Sequence, residues 1–358
     1  MISFIIWTWM ATVGFAILMG GTASRLWVLP GPRQSGPEME AVYRKIRLVE
    51  GFGFFLLIAG TVLELPARTL DMSGRPMYDL FKVLPIVLGR THYGIVWKLG
   101  EVSAVVLLAL WLAGRRGRGE RFRALQVSSL VLLLVIAASR SASGHAADAG
   151  DFSLLESADW LHLLAASVWG GGIIVLSMGI LPGLIRFEGD SLNLHRTAEI
   201  ATRFSRMAGF GAGLIIITAA YNGYYEVRHW SLLLGAGYGE TVLAKMVLLG
   251  FLIALGGYNR YMSVPLLQRL AGIAPEKTGV IYTRIVKPFL SFLEPRLDRE
   301  TAPSRFKKMV KIEAFIFIAI FLLASMLRHE IPAIHAHHMG KPGPGPGMPG
   351  MTMPGVDR

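Results

Sequence analysis

The chain has 358 residues, of which 53% are hydrophobic and 17% charged, and its mean hydropathy of +0.49 excludes a protein held in water. The formal net charge of +12 would suit a nucleic-acid partner only if the cations lay on one soluble face. They lie instead in alternate loops between apolar runs, so they report topology and no nucleic acid is expected. Cysteine is absent, which excludes thiolate metal sites and disulfides and leaves His, Met and carboxylate as the ligands open to a metal.

Apolar runs long enough to cross a bilayer, roughly 17 to 25 residues each, stand at about 2–28, 47–66, 94–113, 122–139, 157–181, 205–226, 241–262 and 312–328. They predict an all-α polytopic membrane bundle of eight transmembrane helices. The first run carries no cation ahead of its apolar stretch and meets Arg25 only at its far end, so a retained helix is expected rather than a signal peptide. Between the second and third runs, Met77 to Leu88 is too apolar for a plain turn and predicts a short interfacial or re-entrant helix. A further amphipathic helix is expected around Val280 to Phe292.

The densest cations, Arg115, Arg116, Arg118, Arg121 and Arg123 after the third run and a long basic segment after the seventh, mark the cytoplasm. Alternation then puts both termini in the periplasm. The loop bearing Arg68, Arg75, Lys82 and Arg90 fits this orientation least well. Local matches suggest a duplication of two four-helix halves, 1–140 and 141–330, followed by a tail, 331–358. Val28 to Gly31 reads VLPG and Ile180 to Gly183 reads ILPG; Tyr93-Gly94 precedes Lys98 as Tyr238-Gly239 precedes Lys245. Recurrence of small and aromatic residues at membrane interfaces explains these matches equally well.

With that topology His92, His145, His162, His229, His329, His335, His337 and His338 fall at the outer face and His195 alone at the inner one. The segment from Ser143 to Gly172 is the richest. Asp159, His162, Ala166 and Trp169 follow one helix face, with His145 in the loop before them, and ionisable groups inside an apolar run are costly enough to suggest function. His145 and His162 are the expected entry site of a metal, Asp159 either ligating or orienting the imidazole. Trp169 either walls that site or fills the core. Lys98 and Glu101 are expected to neutralise each other across one turn. Lys245 either snorkels to the interface or gates; Asn222 belongs to an interfacial belt with Tyr221, Tyr224 and Tyr225 or lines the site; Asn259 and Arg260 cap a helix or bind lipid phosphate.

The Pro- and Gly-rich tail is expected to be disordered and external. His335, His337 and His338 offer imidazoles, and Met339, Met348, Met351 and Met353 thioethers. Copper, as Cu(I), Cu(II) or both, is the metal that uses the two kinds of ligand.

The SGHA of Ser143 to Ala146, the DWLHLLAASVWGGG of Asp159 to Gly172 and the ETVLAKMVLLGFLIALGGYNRY of Glu240 to Tyr261 resemble the copper resistance D (CopD/PcoD-type) membrane protein family. The resemblance implies copper handling at the bacterial inner membrane, commonly uptake into the cytoplasm, with a periplasmic CopC-type partner. The expected function is copper translocation with the tail as collector. Alternatives are a chaperone that hands copper on without transport, and a haem-binding redox protein, against which stands the single His clearly inside a span. No enzyme is expected. No GxxxxGK[ST] occurs, so movement would be passive or coupled to an ion gradient.

Overall fold

The computed structural model describes residues 2–30, 37–114, 120–144, 150, 152–184, 191–227, 237–274 and 301–329. Among these the chain is helical throughout its ordered elements. We label them α1 (Ile2–Ala23, continued by a wider π-helical turn Ser24–Val28), α2 (Pro37–Ser73), α3 (Leu80–Arg90), α4 (His92–Ala113), α5 (Glu120–Ser141), α6 (Leu154–Leu184), α7 (Ser191–Val227), α8 (Gly237–Leu270) and α9 (Thr301–Leu327). All but α3 are long and apolar enough to cross a bilayer, which gives the eight expected spans. In hydrocarbon each backbone N–H and C=O must be paired within the segment, and a run of apolar residues this long meets that demand only as helix.

The short α3 stands where a short interfacial or re-entrant helix is expected between the second and third runs. It leads directly into α4, whose start is set by Thr91: the Gly94 N–H donates to its hydroxyl at 3.0 Å. α6 begins with a similar device. Ser153 Oγ accepts from the Glu156 N–H at 3.1 Å, and the Glu156 carboxylate reaches back to the Phe152 N–H. This S-x-x-E cap fixes where α6 starts and hence the phase of every side chain along it. The expected helix around Val280 to Phe292 and the tail from 331 lie outside the described residues.

α1 is the central strut. Its Phe15, Leu18 and Met19 join Phe54 and Leu57 of α2, Ala104 and Leu107 of α4 and Leu133 and Ile136 of α5 in one apolar core. Its Val13, Ala16 and Ile17 join Val42 and Ile46 of α2 with Trp169, Ile173, Phe204, Leu252 and Phe317 of α6 to α9 in a second and larger one. Helices from both expected halves therefore share a core. α1 crosses α6 backbone to backbone: Gly20 lies on Gly171 and Gly172, and a methyl at Gly171 would fall on the Ala16 carbonyl. Only side-chain-free positions permit that approach.

The two LPG-like segments share one further feature. A π-helical turn, Ser24–Val28 in α1 and Leu176–Ile180 in α6, ends immediately before Leu29-Pro30 and Leu181-Pro182. Outward, Phe52, Phe55, Phe210, Phe251 and Phe315 stay exposed, as lipid-facing side chains do. Buried polar groups are tied down at the opposite end from His162. Arg25 pairs with Glu50 at 2.7 Å, and the Trp111 indole N–H donates to the same carboxylate at 2.9 Å. Asn259 and Arg260, expected as a cap or lipid ligand, tie helices together instead: Asn259 Nδ2 donates to Glu313 Oε1 at 2.7 Å and Arg260 Nη1 to the Ser205 carbonyl at 2.6 Å.

Candidate metal site

The capped start of α6 puts Asp159 in its second turn and His162 in the next. Three residues turn an α-helix by about 300°, so the two side chains stand some 60° apart. That is enough to give them different neighbours. Asp159 Oδ2 accepts from Ser141 Oγ of α5 at 2.8 Å. His162 Nδ1 meets Thr218 Oγ1 of α7 at 2.9 Å.

The second contact sets the state of the imidazole. Thr218 spends its own hydroxyl proton on the Leu214 carbonyl, at 2.7 Å. With that proton on the carbonyl, the oxygen is placed to accept from an Nδ1–H of His162. In that tautomer Nε2 keeps its lone pair, the form in which a neutral imidazole ligates a metal. A ring nitrogen held by an outer partner while the other faces the ion is the usual arrangement around protein-bound metals. Asp159, expected to ligate or to orient the imidazole, meets Ser141 of α5, and the partner of the His162 ring nitrogen is Thr218.

Lys245 of α8 stands near enough for its charge to act on the imidazole. Asn222 lies one turn beyond Thr218 on the same face of α7, and its Oδ1 is buried with no hydrogen-bond partner among the described residues. Such an orphan acceptor is costly unless a donor or a cation meets it. Its neighbours Tyr221, Tyr224 and Tyr225 form a ring cluster with centroids 4.9 and 5.6 Å apart, Tyr224 and Tyr225 being exposed.

Trp169 lies two turns below His162, about 10 Å along the helix axis. It is 3% exposed and packs edge-on against Phe317 with ring centroids 4.9 Å apart. It fills the core beneath the mouth. His92 is exposed at the start of α4, a helix packed on α2, α3 and α5, and is not brought to His162. His329 stacks on Phe4 at 3.9 Å and its Nε2 meets Thr8 Oγ1 at 2.8 Å; burial pushes its pKa down to about 4. Among the described residues no three of His, Asp and Glu come together as a metal site. His145, His229, His335, His337, His338, Met339, Met348, Met351 and Met353 lie outside the described residues.

One polar feature was not anticipated. α2, α4, α5 and Arg328 beyond α9 border a partly open cavity of about 40 Å³ lined by Thr61, Glu64, Tyr93, Glu101 and Arg140, among others. Lys98 and Glu101 were expected to pair, but no ion pair joins them: Lys98 is exposed and Glu101 turns into this cavity. The readable signal was the carboxylate of Glu64 within an apolar run.

Two family comparisons cover most of the chain. Residues 1–155 match the family described as copper resistance protein D-like, N-terminal domain, and residues 198–327 match copper resistance protein D. The chain belongs to the CopD-type copper resistance family. Asn222 and Lys245 lie in the second matched segment, while Asp159, His162 and Trp169 fall between the two. Over 243 residues the chain is 28% identical to "Copper transport protein CutJ" of Bacillus subtilis (strain 168). The aligned stretch takes in 67% of this chain and 43% of that protein, so this CopD-type chain spans less than half the length of the relative. No solved structure matches it. With its eight long apolar helices it is a multi-pass membrane protein.

Proposed function

We propose that this CopD-type chain takes copper at the end of the bundle where α6 and α7 meet, with His162 Nε2 as a ligand and Asn222 and Lys245 bordering the site. His145 and the His/Met tail complete the ligand set, the tail acting as collector. The end bearing His162 faces the periplasm of a bacterial inner membrane, copper moves inward, and a CopC-type protein is the donor. Copper in this reading is cargo, carried without a catalytic step. The carrying observation is the contact of His162 Nδ1 with the Thr218 hydroxyl, which also reaches the Leu214 carbonyl; the Nδ1–H tautomer that this pairing favours leaves Nε2 ready to ligate. Imidazole suits Cu(II), and the tail thioethers suit Cu(I).

The packing of Trp169 against Phe317 favours a second reading. It closes the bundle below His162, as expected of a chaperone that loads and unloads copper at one face. Copper uptake by vesicles containing the purified protein separates the two. Carriage predicts entry that His162→Ala abolishes; copper bound at the surface without entry supports the chaperone.

A further inference from the structure

α8 and α9 meet through two polar side chains for which the copper site has no use. Glu313 is 2% exposed and Asn259 6%, and Asn259 Nδ2 donates to Glu313 Oε1 at 2.7 Å. Among the described residues no ion pair reaches that carboxylate, so a neutral amide is what holds it. The other end of the amide has nothing: Asn259 Oδ1 is buried without a hydrogen-bond partner among the described residues. Charges on the neighbouring elements are engaged or turned away. Arg260 of α8 donates to the Ser205 carbonyl and Arg25 of α1 pairs with Glu50, while Lys308 and Lys311 of α9 and Arg269 of α8 are exposed and Lys307 is half-buried. α6 has no ionisable side chain from Ser167 to Leu184, and Tyr258 and Tyr261 are the other titratable groups on this stretch of α8.

The pair lies directly beneath the closure of the bundle. Phe317, which packs edge-on against Trp169, follows Glu313 by one turn on the same face of α9. Gly256 precedes Asn259 by three residues on α8, and a methyl added there would stand 3.7 Å from the Trp169 indole. An ionised carboxylate at this depth is expensive, and one hydrogen bond from a neutral amide offsets only part of that cost. A proton removes both defects together. It neutralises the carboxylate, and the O–H it creates is a donor for Asn259 Oδ1, so that acid and amide match donor to acceptor twice. A metal ion fits less well, because among the described residues no group of three His, Asp or Glu forms here. Asn259 also opens the π-helical turn Asn259–Ser263, a deformation frequent at functional sites.

We propose that Glu313 and Asn259 form a proton-binding site, and that its proton holds α8 to α9 beneath Trp169 and Phe317. Hydronium reaching the pair gives its proton to Glu313 Oε2, leaving water and a neutral carboxyl group; release is the reverse. Release takes one hydrogen bond from the pair and leaves a buried charge, so the contact between α8 and α9 weakens where both helices border the Trp169 ring. A proton gradient thereby acts on the passage of copper through that closure. The coupling, though not the proton site, rests on the copper-carrying reading above.

Two measurements on the full chain decide. Glu313→Gln is the informative variant, because its amide reproduces the neutral carboxyl, accepting from Asn259 Nδ2 and donating to Oδ1, yet does not titrate. In copper-free detergent solution, pH-difference infrared spectra of the wild type should contain a carboxyl C=O band that Glu313→Gln removes and Asn259→Ala displaces. Spectra of Glu313→Gln that superimpose on the wild type overturn the proton site, and if that variant does not fold, an undisplaced band in Asn259→Ala does so. In vesicles supplied with copper alone, an imposed pH gradient should alter wild-type copper entry, and Glu313→Gln should lose that response with the copper bound per chain unchanged. A wild type indifferent to the gradient, or a response retained in the variant, overturns the coupling. Absence of copper entry in every variant, the wild type included, removes copper carriage and with it the coupling, while the infrared result still decides the proton site.

Discussion

The imidazole of His162 depends on a neighbour that no spacing argument would nominate. Thr218→Val keeps the shape of that side chain but deletes the oxygen that accepts the Nδ1 proton. Copper affinity, titrated against a competing chelator, should fall by about 10- to 100-fold, the usual cost of losing an outer partner of a metal ligand. Asp159→Asn should cost far less, because its carboxylate is spent on Ser141. His329 makes a separate prediction. Burial lowers its folded-state pKa to about 4 from the ordinary 6.5, so between those values the unfolded chain binds more protons than the folded one. Stability from this group is complete above about pH 6.5 and drains away as the pH falls toward 4. Thermal unfolding in detergent should show that decline, and His329→Asn should flatten it.

Helix pairing explains why some expected partnerships did not form. Residues three apart lie on one broad face, yet the 60° between them sends Asp159 to α5 and His162 to α7, as it sends Glu101 into the cavity and leaves Lys98 exposed. The α1–α6 crossing is the contact most sensitive to bulk. Gly171→Ala sets a methyl on the Ala16 carbonyl, so the helices must part, at a cost of about 1–3 kcal/mol. The melting temperature in detergent should drop, and more so for Gly171→Val. Gly213, where an added methyl meets nothing within 4 Å, is the control: Gly213→Ala should be neutral or slightly stabilising.

The assembled bundle brings the polar end of α6 and the Glu64 cavity to the two sides of one short stretch, Arg140 to Ser143, with Arg328 clamped onto it. The tail is a separable part in the proposed function. Truncation after Ile334 should weaken copper capture when copper is scarce and leave the His162 site able to fill at high copper, measured as bound copper per chain. Loss of all binding on truncation would place the site in the tail. A purified sample should also lack a Soret band, as expected of a chain whose cargo is copper and not haem.

Eight spans, the short helix before α4 and the family could all be read from the order of residues. A bilayer admits only segments that satisfy their own backbone, and about 20 apolar residues in a row record that requirement directly. The facing of each polar side chain could not be read in this way. Lipid and helix interior are both apolar, so a transmembrane helix carries almost no hydrophobic stripe to say which side meets a neighbour. Packing alone sent Asn259 to Glu313 and Arg260 to the Ser205 carbonyl, turned Glu64 and Glu101 toward Arg140, and gave His162 to Thr218. The kinds of group available for chemistry are inherent in the chain; their partners, and so their protonation and readiness to ligate, follow from which helices touch.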